Sequence, residues 1–177
     1  MTLTVQQPPQ THLAQLNIAR ALDALDSPRL ADFMSAIDRV NAVAERSPGF
    51  IWRFTEDSAG ASAGATTSPY DGGEVTASDP SLDPRMVVNM SVWATPADFE
   101  HFVWKTVHKR VYEKKAKWFE HMRSASFAMW WVPIGTLPTK TEAFAKLEQL
   151  NAQGPSQDVF GWQQLQSAQF WQSQQCA

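Results

Sequence analysis

The sequence predicts an α+β fold: a four-stranded antiparallel sheet, two main helices on one face, and an extra helix near the C-terminus. Three observations carry this. Segments with strand-like alternation and segments with helical spacing succeed one another in the order β-α-β-β-α-β. Ser27-Pro28 and Thr95-Pro96 each place a capping side chain before a proline, the signature of a helix start. Two of the strands are apolar on both faces, so both faces of the sheet need cover.

The first strand is HLAQLNIA, residues 12–19, with Ala14, Leu16 and Ile18 on one face and Leu13, Gln15 and Asn17 on the other. A helix is predicted over about 28–46, carried by Leu30, Phe33, Ile37, Val40 and Ala44 and ended by Ser47-Pro48-Gly49. FIWRFT, residues 50–55, reads as the second strand, with Phe50, Trp52 and Phe54 sharing a face opposite Ile51 and Arg53. MVVNMSVW, residues 86–93, is the third, with Val87, Asn89, Ser91 and Trp93 on one face. A second main helix is predicted over about 96–122, and FAMWWV, residues 127–132, is the fourth strand. TKTEAFAKLEQL carries Thr139 and, three residues on, Glu142, the capping-box pattern of a third helix that ends at Gly154-Pro155. This order is the split βαβ, or ferredoxin-like, arrangement. With two apolar sheet faces, the economical cover for the second is another subunit. That predicts a homodimer with a symmetric interface; the alternative cover is the third helix together with the C-terminal tail.

At 177 residues the chain reads as one domain over 12–160. Residues 1–11 are expected to be a flexible N-terminus, 56–85 a mobile loop rich in small and polar residues, and 161–177 a Gln-rich tail. A net charge of −3 gives no reason to expect nucleic acid as a partner. No apolar run approaches the roughly 20 residues of a membrane helix, and the N-terminus shows no leader pattern, so a cytoplasmic protein is expected. The single cysteine, Cys176, excludes an internal disulfide and a cysteine-based metal site. The scattered acids of 56–85 lack calcium-loop spacing, and no phosphate-loop, dinucleotide or nucleophile-elbow motif occurs.

The most unusual stretch is WKTVHKRVYEKKAKWF, residues 104–119. On an ideal helix wheel His108 borders the apolar stripe of Val107, Val111 and Trp118, with Trp104 and Lys115 between them. Histidine titrates near neutrality and ligates metals. His108 is therefore a candidate acid–base, beside Trp104 and Lys115 as ligand-binding candidates; the plain alternative is a boundary histidine bonded to a carbonyl. His101 and His108 are seven apart, too far for a two-histidine metal site on one helix. Gln15, Asn17, Arg53, Asn89 and Ser91 sit on the less apolar faces of their strands. If those faces coincide they line one polar floor in an aromatic surround, the general form of a small-molecule pocket.

HLAQLNIA, SPGFIWRF, VNMSVW, the spacing from His108 to Trp118-Phe119, and WWVPIGTLPTKTEAFAKLEQL together resemble an uncharacterised bacterial family of unknown function. That family is similar to the antibiotic-biosynthesis-monooxygenase group of dimeric α+β barrels. The resemblance spans about residues 12–160 and implies a dimeric α+β barrel. The wider group includes cofactor-free monooxygenases acting on flat aromatic molecules, haem-degrading enzymes, and members with no known reaction. The resemblance to haem-degrading members implies Asn17 on the first strand, Phe102 or Trp104 on the second main helix, and His108 as iron ligand. The expected cofactor is accordingly none or haem. Three readings stand side by side: oxygen-dependent oxidation of a flat aromatic substrate with Asn17 and His108 catalytic; haem binding through His108; or non-catalytic small-molecule binding.

Overall fold

The computed structural model describes residues 3–55, 83–106, 109–110, 113–166 and 168. Four strands form one sheet: β1 (Thr11–Arg20), β2 (Phe50–Arg53), β3 (Met86–Trp93) and β4 (Phe127–Pro133). Their order is β2-β3-β1-β4, and every neighbouring pair is antiparallel. Among the described residues three α-helices have full bounds: α1 (Ala31–Glu45), α2 (Pro96–Lys105) and α3 (Lys140–Gln153). The α+β class and the four-stranded antiparallel sheet are as the sequence predicts.

β1 occupies the middle of the sheet because its residues are apolar on both sides. Leu13 belongs to the cluster formed with Ala44 of α1 and Phe99, Phe102 and Val103 of α2. Ala14, Leu16 and Ile18 belong to the opposite cluster, with Ala143 and Leu147 of α3. A third cluster lies around the start of α1, where Leu30, Phe33, Ala21 and Trp118 pack with Val87.

β2 departs from simple alternation. Phe50 pairs with Trp93, yet Trp52 pairs with Val92, so Ile51 is an extra residue. This bulge reverses the phase of the strand. Phe50 packs edge-on to Trp93 on the α1/α2 side, while Trp52 and Phe54 join the opposite cluster. The expectation that Phe50, Trp52 and Phe54 share a face is therefore corrected, and Ile51 stays 43% exposed. The turn before β2 needs Gly49: its φ is +73°, and an added Cβ would run into the Asp98 side chain.

The helix starts divide. Thr95 and Thr139 cap as expected, accepting from the backbone N–H of Asp98 (3.2 Å) and Glu142 (3.1 Å). Glu142 then turns its carboxylate to the sheet, where Oε1 accepts from Trp130 Nε1 at 3.0 Å. Ser27 does not cap. Residues 27–31 form turns, with Leu30 N–H donating to the Ser27 carbonyl at 3.0 Å. α1 begins at Ala31, and Ser27 Oγ is buried with no hydrogen-bond partner.

α2 is much shorter than expected. It ends at Lys105, and Thr106 is extended (φ −114°, ψ −171°). Thr106 Oγ1 donates to the Phe102 carbonyl at 2.6 Å, taking up an acceptor freed at the helix end. Beyond this break Lys109, Arg110 and Glu113 again have helical backbone. Lys115–Lys117 form only a 3-10 turn.

The second sheet face is covered in part from within the chain. Ala143 and Leu147 are buried over β1 and β4, with Phe144 and Leu150 beside them. Burying a leucine such as Leu147 contributes about 2 kcal/mol. Trp52, Phe54, Met86 and Val88 remain half-buried on the β2–β3 half of that face. The expected flexible N-terminus is tied in: Val5 is 1% exposed, and its N–H donates to the Gln164 carbonyl at 2.7 Å. Part of the expected tail is also packed, since Leu165 is buried beside Val5; just before it, Phe160 exchanges backbone bonds with Met129. Most of the expected mobile loop, 56–82, lies outside the described residues, as do 167 and 169–177 of the expected tail.

Asp83 and Arg85, at the far end of that loop, form an ion-pair cluster with Arg20 and Glu120. Arg20 Nε meets Asp83 at 2.7 Å and its Nη1 meets Glu120 at 3.2 Å. The Arg85 backbone N–H, and then the Arg20 side chain, hold the Asp83 carboxyl below its ordinary value. A depressed folded-state value contributes stability above the unfolded carboxylate range, and that contribution is lost as pH falls through the folded value. Asp83→Asn removes it. Urea titrations from pH 7 down to pH 3 are expected to show wild type losing more stability than Asp83→Asn; equal losses refute the clamp.

Candidate functional site

The polar floor expected from strand phase forms on the α1/α2 face. Gln15 is 2% exposed and Ser91 6%. Gln15 Nε2 donates to Asn89 Oδ1 and to Ser91 Oγ, each at 2.8 Å. Ser91 Oγ also accepts from Trp93 Nε1 at 2.9 Å. Asn17 lies opposite Asn89 in one register and opposite Phe127 in the other. The alternation of β1 and β3 explains the convergence: one antiparallel register brings Gln15 to Ser91 and Asn17 to Asn89, all on one face.

The floor opens to solvent in its middle. Asn89 is exposed and Asn17 half-buried, although both lie on the helix-covered face. The apolar packing on that face falls into two clusters: one around Leu13, Trp93, Phe99 and Phe102, the other around Leu30, Phe33 and Trp118. Phe127, beside Asn17, lies in a stack of near-parallel rings with Phe99 and Trp162. Their centroids are 5.1–6.3 Å apart, with interplanar angles of 11–19°. Both Gln15 Nε2 hydrogens are engaged on the sheet, leaving Oε1 to accept from elsewhere. The amide of Asn17 makes no side-chain hydrogen bond among the described residues. Neutral amides of this kind can hold a carbonyl or hydroxyl without a change of charge.

The other expected site residues fare differently. Arg53 lies opposite Ser91, but its Nε donates to Glu45 at the end of α1 at 2.7 Å, so the guanidinium is drawn to α1. Trp104 is half-buried against the cluster of Phe99 and Phe102. Lys115 is exposed on the 3-10 turn. The helix that was to align it with Trp104 ends at Lys105, so the wheel relating Trp104, His108 and Lys115 does not apply. His108 lies outside the described residues.

Two residues escaped the sequence reading. Trp162 sits on a 3-10 turn, Trp162–Gln164, and completes the ring stack. Only its aromatic character announced it. Glu100 is 2% exposed within α2, between Phe99 and Val103. The wheel contained that signal, since Glu100 falls about 60° from Val103, inside the apolar stripe. Among the described residues no three His, Cys, Asp or Glu side chains come together as a metal centre. No described helix is long and apolar enough to cross a membrane.

Residues 12–176 match the family described as a domain of unknown function, DUF3291. The chain belongs to the DUF3291 family. No functionally curated protein matches it. Among solved structures, this DUF3291 chain is similar to the NE2512 protein of unknown function from Nitrosomonas europaea. The identity is 11% and the TM-score 0.42, over 74% of this chain and 96% of that one.

The Gln15 bridge generates a prediction. Gln15→Leu keeps approximate volume but removes both bonds that Gln15 Nε2 donates; Ser91 Oγ keeps its bond from Trp93 Nε1 and Asn89 Oδ1 turns to water. The loss of such hydrogen bonds, with neither acceptor left buried and unsatisfied, costs about 0.5–1.5 kcal/mol. Urea denaturation is expected to show a destabilisation of that order, and a variant as stable as wild type refutes the bridge.

Proposed function

We propose that this DUF3291 chain binds a flat organic molecule over the floor of Gln15, Asn17, Asn89 and Ser91, and oxidises it with molecular oxygen. The observation that carries the binding reading is a hydrogen-bonded, partly open amide floor between two aromatic clusters on a face otherwise packed with apolar side chains. A few convergent polar groups in an apolar surround fix a ligand's orientation, while rings supply contact area. The oxidation reading rests on the resemblance to the antibiotic-biosynthesis-monooxygenase group. In it, Asn17 polarises the substrate by hydrogen bonding, Trp104 packs against it, and His108 serves as acid–base. Non-catalytic binding of the same molecule is the alternative.

Haem fits the described site poorly. The floor offers amides and a hydroxyl, not a thiolate, phenolate or imidazole, so iron ligation would rest on His108 alone. No step is assigned to haem.

The strand order β2-β3-β1-β4, with α1 and α2 contributing to one face, supports the ferredoxin-like assignment. The half-buried strip of Trp52, Phe54, Met86 and Val88 supports pairing of two sheets as a dimeric α+β barrel. Sedimentation at micromolar concentration is expected to give a dimer; a monomer contradicts it.

The function is tested with anthrone, a flat polycyclic ketone with an oxidisable methylene. Tryptophan fluorescence is expected to quench saturably on its addition. Asn17→Ala is expected to weaken that binding about tenfold, the equivalent of one hydrogen bond. An oxygen electrode is expected to record uptake in wild type that His108→Ala loses. Absence of saturable quenching refutes the binding reading. Quenching without oxygen uptake refutes the oxidation and leaves the binding role. A Soret shift on adding hemin, present in wild type and lost in His108→Ala, would overturn the reading against haem.

A further inference from the structure

A concavity lies between α1 and the end of α2. It is a groove of about 520 Å³, lined by Arg39, Val43, Lys105, Thr106 and Arg110. That volume is within the range of about 300–1,000 Å³ typical of small-molecule sites. Among the described residues that line it, Arg39, Lys105 and Arg110 are cations, in a chain whose net charge is −3. They come from separate segments, so the fold, rather than a local run of sequence, brings Arg39 to Lys105 and Arg110.

The nearby acids do little to neutralise this groove. Glu45 is engaged by Arg53 at 2.7 Å. Glu113 lies 3.9 Å from Lys109. Asp98 accepts from Thr95 Oγ1 at 2.6 Å, at the other end of α2. Glu100 is buried within α2. Asp38 precedes Arg39 in the chain but does not line the groove. Neither Arg39 nor Arg110 pairs with a carboxylate among the described residues. One feature opposes an anion: the C-terminal end of α2 presents the negative end of its dipole. It amounts to about half a charge, and Thr106 Oγ1 already donates to one of its carbonyls. The two guanidinium groups of Arg39 and Arg110 outweigh it.

We infer that the groove between α1 and the end of α2 binds a small organic oxyanion, a carboxylate or a phosphate ester, through Arg39, Lys105 and Arg110. Guanidinium groups hold both kinds of oxyanion by paired N–H donors. The volume exceeds what a bare inorganic anion fills, and Val43 supplies an apolar wall for a carbon skeleton. The inference does not depend on the amide floor, whose residues line no part of this groove.

The test uses 2-naphthoate, 2-naphthyl phosphate and uncharged 2-naphthol, titrated calorimetrically into the full chain. At least one anionic probe is expected to bind saturably, and to weaken as NaCl rises from about 50 to 300 mM. The double variant Arg39→Gln/Arg110→Gln is expected to lose at least tenfold in affinity for the anion while leaving 2-naphthol unaffected. Both side chains are exposed, and near-UV circular dichroism checks that the variant is folded. Asn17→Ala is expected to leave anion binding unchanged, which separates failure here from failure of the floor. Tighter binding of the phosphate assigns a phosphate ester; tighter binding of the naphthoate assigns a carboxylic acid. Equal anion affinity in wild type and the double variant, or no saturable binding of either anion, overturns the inference.

Discussion

The structure depends on the central place of β1. It is hydrogen-bonded along both edges, to β3 and to β4, and covered on both faces. A strand so enclosed has no tolerance for a one-residue slip, which would exchange every residue between the two faces. Its side chains are divided accordingly. Leu13 faces α1 and α2, Ala14, Leu16 and Ile18 face the α3 side, and Gln15 is the polar intruder. An amide buried there must find partners, and β3 supplies them in Asn89 and Ser91. The polar floor is thus a consequence of register: the pairing that packs the core also assembles the amides.

The same face shows what polarity does to packing. Apolar side chains form two separate clusters on this face, while Asn89 of the floor is exposed. On one side the rings of Phe99, Phe127 and Trp162 stack. The stack brings together a helix, a strand and a turn far along the chain. The C-terminal segment therefore shapes the surround of the floor as well as covering the edge of β4.

The break after Lys105 is the other organising event. A helix continued to residue 122 would have carried Trp104, His108 and Lys115 on one rigid edge. Instead Thr106 closes the helix, and Lys109, Arg110 and Glu113 are helical again beyond the break. Lys105 and Arg110, on either side of the break, line the cationic groove with Arg39 of α1. Along the sequence those residues read as a solvated basic run; the relation to Arg39 arises only when α1 and the end of α2 meet.

Local chemistry was legible in the sequence wherever local chemistry decides the outcome. The four strands, the caps at Thr95 and Thr139, and the two faces of β1 and β3 derive from period, capping geometry and turn residues. So did the meeting of Gln15 with Asn89 and Ser91, because antiparallel alternation places like-phased residues on one face. Tertiary contacts decided the rest. The bulge at Ile51 reverses β2 because Phe50 is taken by Trp93 on one side while Trp52 packs on the other. Arg53 leaves the floor for Glu45 because α1 ends beside it. Val5 and Leu165 are buried together although almost the whole chain separates them. Periodicity records which side of an element is apolar. It does not record which distant segment will meet that side, and in this protein those meetings determine which polar groups pair and which still face solvent.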